Sequence, residues 1–172
     1  PVNLAFKIES SFVNTADMVS EVFYRSSGRD HRITRNSQLA PHVNMPEGYG
    51  GYVEYNGPRN PFYFYSFKLR RGKGEEHSAR LGWQTSYRGM VKYNPSEFLT
   101  FSLFHKHVKE EKWLNWIDSN LLAAYDRKQR TSILGLEWYS GSSHELRIKG
   151  QFVAFTGRNP IPFYANINGN LS

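Results

Sequence analysis

Alternation of apolar and polar side chains recurs along this sequence and constrains the fold more than any other feature. Residues 3–13, 63–70, 79–88, 99–103, 134–138 and 144–155 each place mainly apolar side chains, many of them aromatic, at every second position. Successive side chains of a strand point to opposite faces, so a period of two predicts half-buried β-strands. Weaker alternation at residues 18–25 and 49–55 raises the total to about eight strands.

The connections between these segments differ in length and composition. Four of them are short and rich in turn-forming residues: Asn14–Asp17, Asn56–Pro61, Asn94–Glu97 and Ser140–Ser143. In an up-and-down meander all four fall at one end, and the connections at residues 26–48, 71–76 and 106–129 fall at the other. Tight turns at one end and longer loops at the other are typical of a transmembrane β-barrel. The sequence therefore predicts an all-β fold, an antiparallel up-and-down barrel of about eight strands.

Composition excludes several classes of protein. The chain has 172 residues and no cysteine, so neither disulfides nor Cys-ligated metals can form. Mean hydropathy is −0.62, and no run approaches the ~20 apolar residues of a transmembrane helix. The net charge is +7, but the basic residues are dispersed over many strands, which argues against nucleic-acid binding. We expect residues 1–172 to form a single β-barrel domain or a fragment of a larger barrel.

The alternation is compatible with two environments, because the apolar face can contact either lipid or a protein core. Three features favour lipid. The polar faces include small Gly and Ser residues, Tyr and Trp lie near strand ends, and several segments reach the ~9–11 residues that cross a bilayer. The alternative that stays open is a soluble β-barrel or sandwich that binds carbohydrate through aromatic side chains.

Several local strings resemble a bacterial outer-membrane family of unknown function. They are Arg29–Asn36, Tyr49–Tyr55, Trp113–Trp116, Glu137–Tyr139 and His144–Lys149, and the resemblance spans residues 18–155. Members of that family join an N-terminal module similar to family 9 carbohydrate-binding domains to a large C-terminal barrel. The resemblance implies an outer-membrane location and a piece from late in a larger barrel, but no particular activity.

Two groups of residues are candidates for ligand binding at the outer loops. Asp30, Arg32, Arg35 and Asn36 form a charge-dense group that could hold carboxylate, sulfate or phosphate, although a loop-stabilising ion-pair network is the alternative. The second group is Trp113, Trp116 and Asp118, whose rings could stack on a sugar while the carboxylate accepts hydrogen bonds. Loop packing or an interfacial aromatic belt is the alternative for the second group.

Six basic residues lie on the polar faces of predicted strands: Lys68, Arg70, Arg80, Arg88, Arg147 and Lys149. If those faces line a lumen, they make it electropositive and favour anionic solutes. Alternatively, they pair with Glu54, Glu137 and Glu145.

Signals for catalysis and for metal binding are weak. The chain contains no nucleophile-elbow, zinc-protease or phosphate-loop motif, and the pair His105 and His107 has no evident third ligand. The sequence thus predicts a barrel of channel or transport type in the bacterial outer membrane, with no cofactor or metal, and it favours the absence of an enzymatic activity without deciding the question. The expected partners are outer-membrane lipid, a saccharide or small anionic solute, and the remainder of a larger barrel.

Overall fold

The computed structural model describes residues 2–31, 42–73, 81–141 and 144–172, and these residues form strands, turns and coil without a helix. Ten strands follow one another along the chain. They are β1 (Asn3–Ser11), β2 (Asp17–Arg25), β3 (Gly28–Asp30), β4 (Val43–Met45), β5 (Gly48–Asn56), β6 (Tyr63–Lys73), β7 (Trp83–Ser96), β8 (Leu99–Asp118), β9 (Leu121–Ser140) and β10 (His144–Tyr164).

Eight of these strands form one antiparallel sheet in the order β1-β2-β5-β6-β7-β8-β9-β10. Strands β3 and β4 form a separate short hairpin inserted between β2 and β5. Within the described residues β1 and β10 each pair on one side only, so the sheet is open. The predicted all-β, antiparallel, up-and-down arrangement of about eight strands is confirmed. Closure of the sheet into a barrel stays a prediction.

The two ends of the sheet differ as the turn residues predict. The ends of β1, β5, β7 and β9 lie next to the beginnings of β2, β6, β8 and β10 at one end of the sheet, here called the turn end. The ends of β2, β6 and β8 lie at the opposite or far end. Gly57 packs closely under the ring of Tyr65 at the turn end, where a Cβ would lie 2.5 Å from a ring atom, so a larger residue there would displace that ring.

The segment 106–129 was expected to be a long connection, and this expectation is wrong. Strands β8 and β9 each run for 20 residues, and only Ser119 and Asn120 connect them. The alternation is lost for two reasons. A bulge between Glu110 and Trp113 switches the parity of the facing side chains. Beyond it, Leu122, Ala123 and Ala124 are all buried, so neighbouring positions are apolar on both faces.

Two bulges flank Asp126 of β9. One lies in β8 between Glu110 and Trp113, and the other lies in β10 between Arg158 and Ile161. Each contains a non-glycine residue with positive φ, Lys112 at 51° and Asn159 at 54°. The carboxylate of Asp126 accepts a bond from the Lys112 backbone N–H at 3.4 Å and another from the Asn159 side-chain amide at 2.9 Å. One carboxylate therefore holds both irregular segments.

Replacement of Asp126 by alanine is expected to loosen both bulges and to cost about 1–2 kcal/mol of local stability, because two donors lose a charged acceptor. Hydrogen exchange at residues 110–113 and 158–161 is the measurement, with Asp118→Ala as the control at the exposed hairpin tip. Unchanged protection at both bulges would contradict this role for Asp126.

The buried hydrophobic core lies at the far end, where β8, β9 and β10 extend beyond their neighbours. Its members are Val43, Met45, Leu114, Leu122, Ala124 and Ala165, with Leu81, Phe163 and Leu171 packed against them. The backbone N–H of Asn44 donates to the carbonyl of Gly169 at 2.8 Å, which ties β4 to the C-terminal segment. The β3–β4 hairpin and residues 165–172 thus cover the extension of the sheet.

The rest of the sheet has one apolar and one polar face. Side chains that pair across strands share a face, so the register defines both. Most large side chains on the apolar face keep between 37% and 64% of their surface exposed, whereas Tyr55, Trp83 and Leu136 are half-buried. The exposed ones are Leu4, Phe6, Ile8, Val22, Tyr24, Tyr49, Val53, Tyr63, Tyr65, Phe67, Leu69, Tyr87, Val91, Tyr93, Phe101, Leu103, Leu134, Trp138, Leu146, Ile148 and Phe152. Within the described residues no second layer covers this face.

Candidate functional site: the polar face of the sheet

Charged residues of both signs line the polar face, and basic ones are in excess among the described residues. The basic residues are Lys7, Arg25, Lys68, Arg70, Arg88, Lys92, Lys106, Arg127, Arg147 and Lys149. The acidic residues are Glu9, Asp17, Glu21, Glu54, Glu110, Glu137 and Glu145. A solute in contact with this face therefore meets fixed charges with a positive bias.

A first cluster surrounds Glu54 near the middle of the face. Its carboxylate lies 2.9 Å from the ammonium of Lys68 and 2.7 Å from the guanidinium of Arg88, which sit on the next two strands. The Lys68 ammonium also lies 3.6 Å from the ring centroid of Tyr52, whose hydroxyl donates to Glu21 at 3.3 Å. Glu54 neutralises one of these two cations, so Glu54, Lys68 and Arg88 together keep a net positive charge.

A second cluster lies nearer the far end and is more deeply buried. Glu110 is only 3% exposed, and it lies 3.1 Å from Arg127 on the directly opposite position of β9. Gln84 donates to the same carboxylate at 2.9 Å from the other side. The Arg127 guanidinium lies 4.8 Å from the ring of Trp113 and 5.3 Å from that of Phe155. Aromatic rings and a buried carboxylate thus hold this cation in one position.

The structure places five of the six predicted lumen residues on this one face. Lys68 and Arg88 pair with Glu54, as described above. The guanidinium of Arg70 lies 5.2 Å from the ring of Phe23, and Arg147 pairs with Glu145 and donates to the hydroxyl of Tyr139 at 3.4 Å. Lys149 is exposed on β10. Arg80 lies outside the described residues.

The two predicted ligand-binding groups differ in how much of them the structure describes. Asp30 ends β3 opposite Val43, and its predicted companions Arg32, Arg35 and Asn36 lie outside the described residues. Trp113 and Trp116 lie on opposite faces of β8, since they pair with Tyr125 and Leu122 respectively. Trp116 donates its indole N–H to the carbonyl of Ser119, and exposed Asp118 accepts a bond from the Ser119 hydroxyl. The structure therefore does not bring Trp113, Trp116 and Asp118 into one surface.

Sequence reasoning missed Glu110, Arg127 and Phe155 as members of a single cluster. Glu110 and Arg127 were interpreted as part of a connection, so no register existed that could place them opposite each other. The available signal was the separation of both residues from Ser119-Asn120, a dipeptide that suits a tight hairpin turn. A hairpin centred there places Glu110 opposite Arg127 once the two register shifts of β8, at Glu110/Trp113 and Trp116/Asp118, are allowed for.

No family model, curated protein or solved structure matches this chain. The resemblance to an outer-membrane family stays a prediction. Among the described residues no three His, Cys, Asp or Glu side chains are grouped so that they could hold a metal ion. The same residues include no helix with the length and hydrophobicity needed to cross a membrane.

Proposed function

We propose that this chain forms part of the wall of an outer-membrane β-barrel of channel or transport type, with its apolar face in lipid and its polar face towards a positively biased lumen. The observation that carries the proposal is the uncovered apolar face, which extends over all eight strands of the sheet. The polar face, with its cross-strand charge clusters, supports the second half of the proposal.

Covering the apolar face with lipid or protein would bury many apolar side chains and release a large free energy. Burial of the exposed half of one large apolar side chain is worth about 1 kcal/mol. Over the whole face this exceeds the roughly 5–15 kcal/mol of net stability of a typical domain. Monomeric soluble proteins rarely expose apolar patches larger than a few hundred Å². Lipid covers such a face without any additional layer of protein.

The distribution of aromatic residues supports lipid as the cover. Tyr63, Tyr93 and Trp138 lie on the apolar face near the turn end, and Tyr49 and Trp83 lie on it near the far end, where their rings meet edge to face at 5.3 Å. Rows of Tyr and Trp at both edges of an apolar band are the interfacial girdles of membrane barrels. Strands β1, β2, β5 and β6 have 9–11 residues, which matches a tilted crossing.

The first test is membrane fractionation of the natural source, followed by electrophoresis of the detergent-extracted protein with and without boiling. The proposal predicts a protein in the outer-membrane fraction whose mobility changes on heating, because barrels resist detergent until they are heated. A protein that stays soluble without detergent and shows no heat shift would contradict it. That result would favour the soluble carbohydrate-binding alternative.

The charge of the proposed lumen gives a prediction on ion selectivity. The double variant Lys68→Gln, Arg88→Gln leaves Glu54 without its two cations, so the local field changes sign. We expect the anion-over-cation permeability ratio in planar bilayers to fall several-fold. The control is Lys109→Gln with Lys128→Gln, which removes two charges from the opposite face. Equal effects of both double variants would contradict the assignment of the two faces.

A further inference from the structure

The apolar face does not end at its far aromatic edge but passes into a group of basic side chains. Lys109 and Lys128 stand directly opposite each other on β8 and β9, and Arg130 stands opposite His107 one row nearer the apolar band. Arg71 lies on the same face, two strands from Lys109 and joined to it through Thr85. These four residues, Arg71, Lys109, Lys128 and Arg130, are called the basic belt.

The pairing within the basic belt is unfavourable for the isolated sheet. Like charges directly opposite each other on neighbouring strands destabilise their pairing. All four side chains are exposed, and none of them forms an ion pair with the described acidic residues. The nearest carboxylate on β9, Asp126, is already bonded to Lys112 and Asn159. An external anion would remove the repulsion that the sheet itself leaves in place.

The position of the belt along the strands identifies the source of that anion. Leu99 begins β8 at the turn end, and Lys109 follows ten residues later on the same face. Ten residues of strand span roughly 33 Å. At a tilt of ~45° this is about 23 Å along the membrane normal, close to the ~25 Å height of the apolar band of such barrels. The belt therefore lies at the level of the lipid headgroups of one leaflet.

A cleft beside the belt adds room for a headgroup. It has a volume of about 420 Å³ and lies between the two bulges, next to Lys109 and Lys128. Lys112, Arg127 and Arg158 line it as well, and Glu110, Glu111 and Asp126 contribute carboxylates, so basic side chains outnumber acidic ones by five to three. Ammonium and guanidinium groups are the donors that bind phosphate oxygens in proteins.

Resting on the proposed function, we infer that the basic belt binds the phosphate groups of anionic lipids in the leaflet at the far end. Each Lys or Arg near an anionic membrane surface contributes roughly a five-fold gain in binding. The chain should therefore prefer membranes with anionic phospholipid in that leaflet over zwitterionic ones. Its polar face, directed away from lipid, does not contribute to this preference.

The test measures partitioning of the intact barrel protein, extracted from its natural membrane in detergent, into vesicles of phosphatidylcholine alone or with added phosphatidylglycerol. The variant Lys109→Gln, Lys128→Gln, Arg130→Gln should lose roughly a hundred-fold in the preference for anionic vesicles. The matched variant Lys7→Gln, Lys92→Gln, Lys106→Gln removes the same charge from the polar face and should keep that preference. Inorganic phosphate at constant ionic strength should leave it unchanged.

The outcomes separate the inference from the proposed function. Insertion of the original chain into both kinds of vesicle without preference would overturn the lipid-phosphate inference and leave the membrane proposal standing. Equal losses in the two triple variants would also overturn the inference, and so would a preference abolished by inorganic phosphate, which would assign the belt to a free anion. A chain that inserts into neither vesicle and stays soluble would overturn the membrane proposal itself.

Discussion

Replacement of Arg127 by alanine is expected to destabilise the protein by about 3–5 kcal/mol, because it leaves a buried carboxylate without its cation. Glu110 is almost completely buried, and Gln84 would remain as its hydrogen-bond donor without supplying a charge. The rings of Trp113 and Phe155 would lose the guanidinium that lies against them. The measurement is urea unfolding followed by tryptophan fluorescence, in detergent or bilayers.

The matched control for Arg127 is Arg88→Ala on the same face. The side chain of Arg88 is 41% exposed, and Lys68 continues to neutralise Glu54 after its removal. Its loss is expected to cost about 1 kcal/mol or less. The double variant Glu110→Gln, Arg127→Met removes both charges together and should recover most of the stability lost in Arg127→Ala. Equal losses for Arg127→Ala and Arg88→Ala would contradict the burial argument.

Substitution of Leu134 by arginine is expected to weaken folding into bilayers by about 2–4 kcal/mol, the cost of a basic residue on the lipid face of a barrel. Leu134 is 62% exposed and stands between Leu103 and Gly150 on the apolar face. It lies near the middle of the band, with Trp138 towards one edge and Lys128 towards the other. The measurement is the folding equilibrium in bilayer vesicles under a urea gradient.

The control for Leu134 is Gln151→Arg, which adds the same side chain to the polar face beside it. In a membrane barrel this change should be tolerated within about 0.5 kcal/mol, since surface substitutions in polar surroundings are usually that small. If the apolar face met water, Leu134→Arg would behave like Gln151→Arg. The comparison therefore decides between lipid and solvent at this face without knowledge of any ligand.

The sequence predicts the strands of the sheet well wherever one face of a strand is apolar and the other is polar over several consecutive residues. Alternation located the segments of β1, β6, β7 and β10, and the turn residues placed four connections at one end. The alternation did not reveal the strands at residues 106–129, because a bulge interrupts the period of two and because the strand beyond the bulge is buried on both faces. The β3–β4 hairpin has only three residues in each strand, too few for a period of two to be recognised.

For the candidate site, the sequence predicted the face of the sheet on which each basic side chain lies, but it did not predict the acidic residue with which that side chain pairs. Period two placed Lys68, Arg70 and Arg88 on one face. That Glu54 lies within ion-pair distance of two of them depends on the register of β5, β6 and β7. The cluster of Glu110 and Arg127 depends in addition on a bulge. A local sequence pattern contains no information about the register or the bulge, because register is set by turn geometry and by contacts between strands.

At the far end, β4 is hydrogen-bonded to the C-terminal segment, residues 165–172. This contact, here called the clasp, has a consequence for the order of folding. Each strand of the sheet pairs with its neighbour in the chain or, at β2 and β5, across a single insertion, so the sheet can grow by successive local steps. The side chain of Asn44, by contrast, bonds to residues 168 and 170, which are 124 and 126 positions away. Such closures are entropically costly until the intervening strands are in place. The clasp is therefore expected to form late during folding, after the strands between β4 and the C-terminal segment have paired.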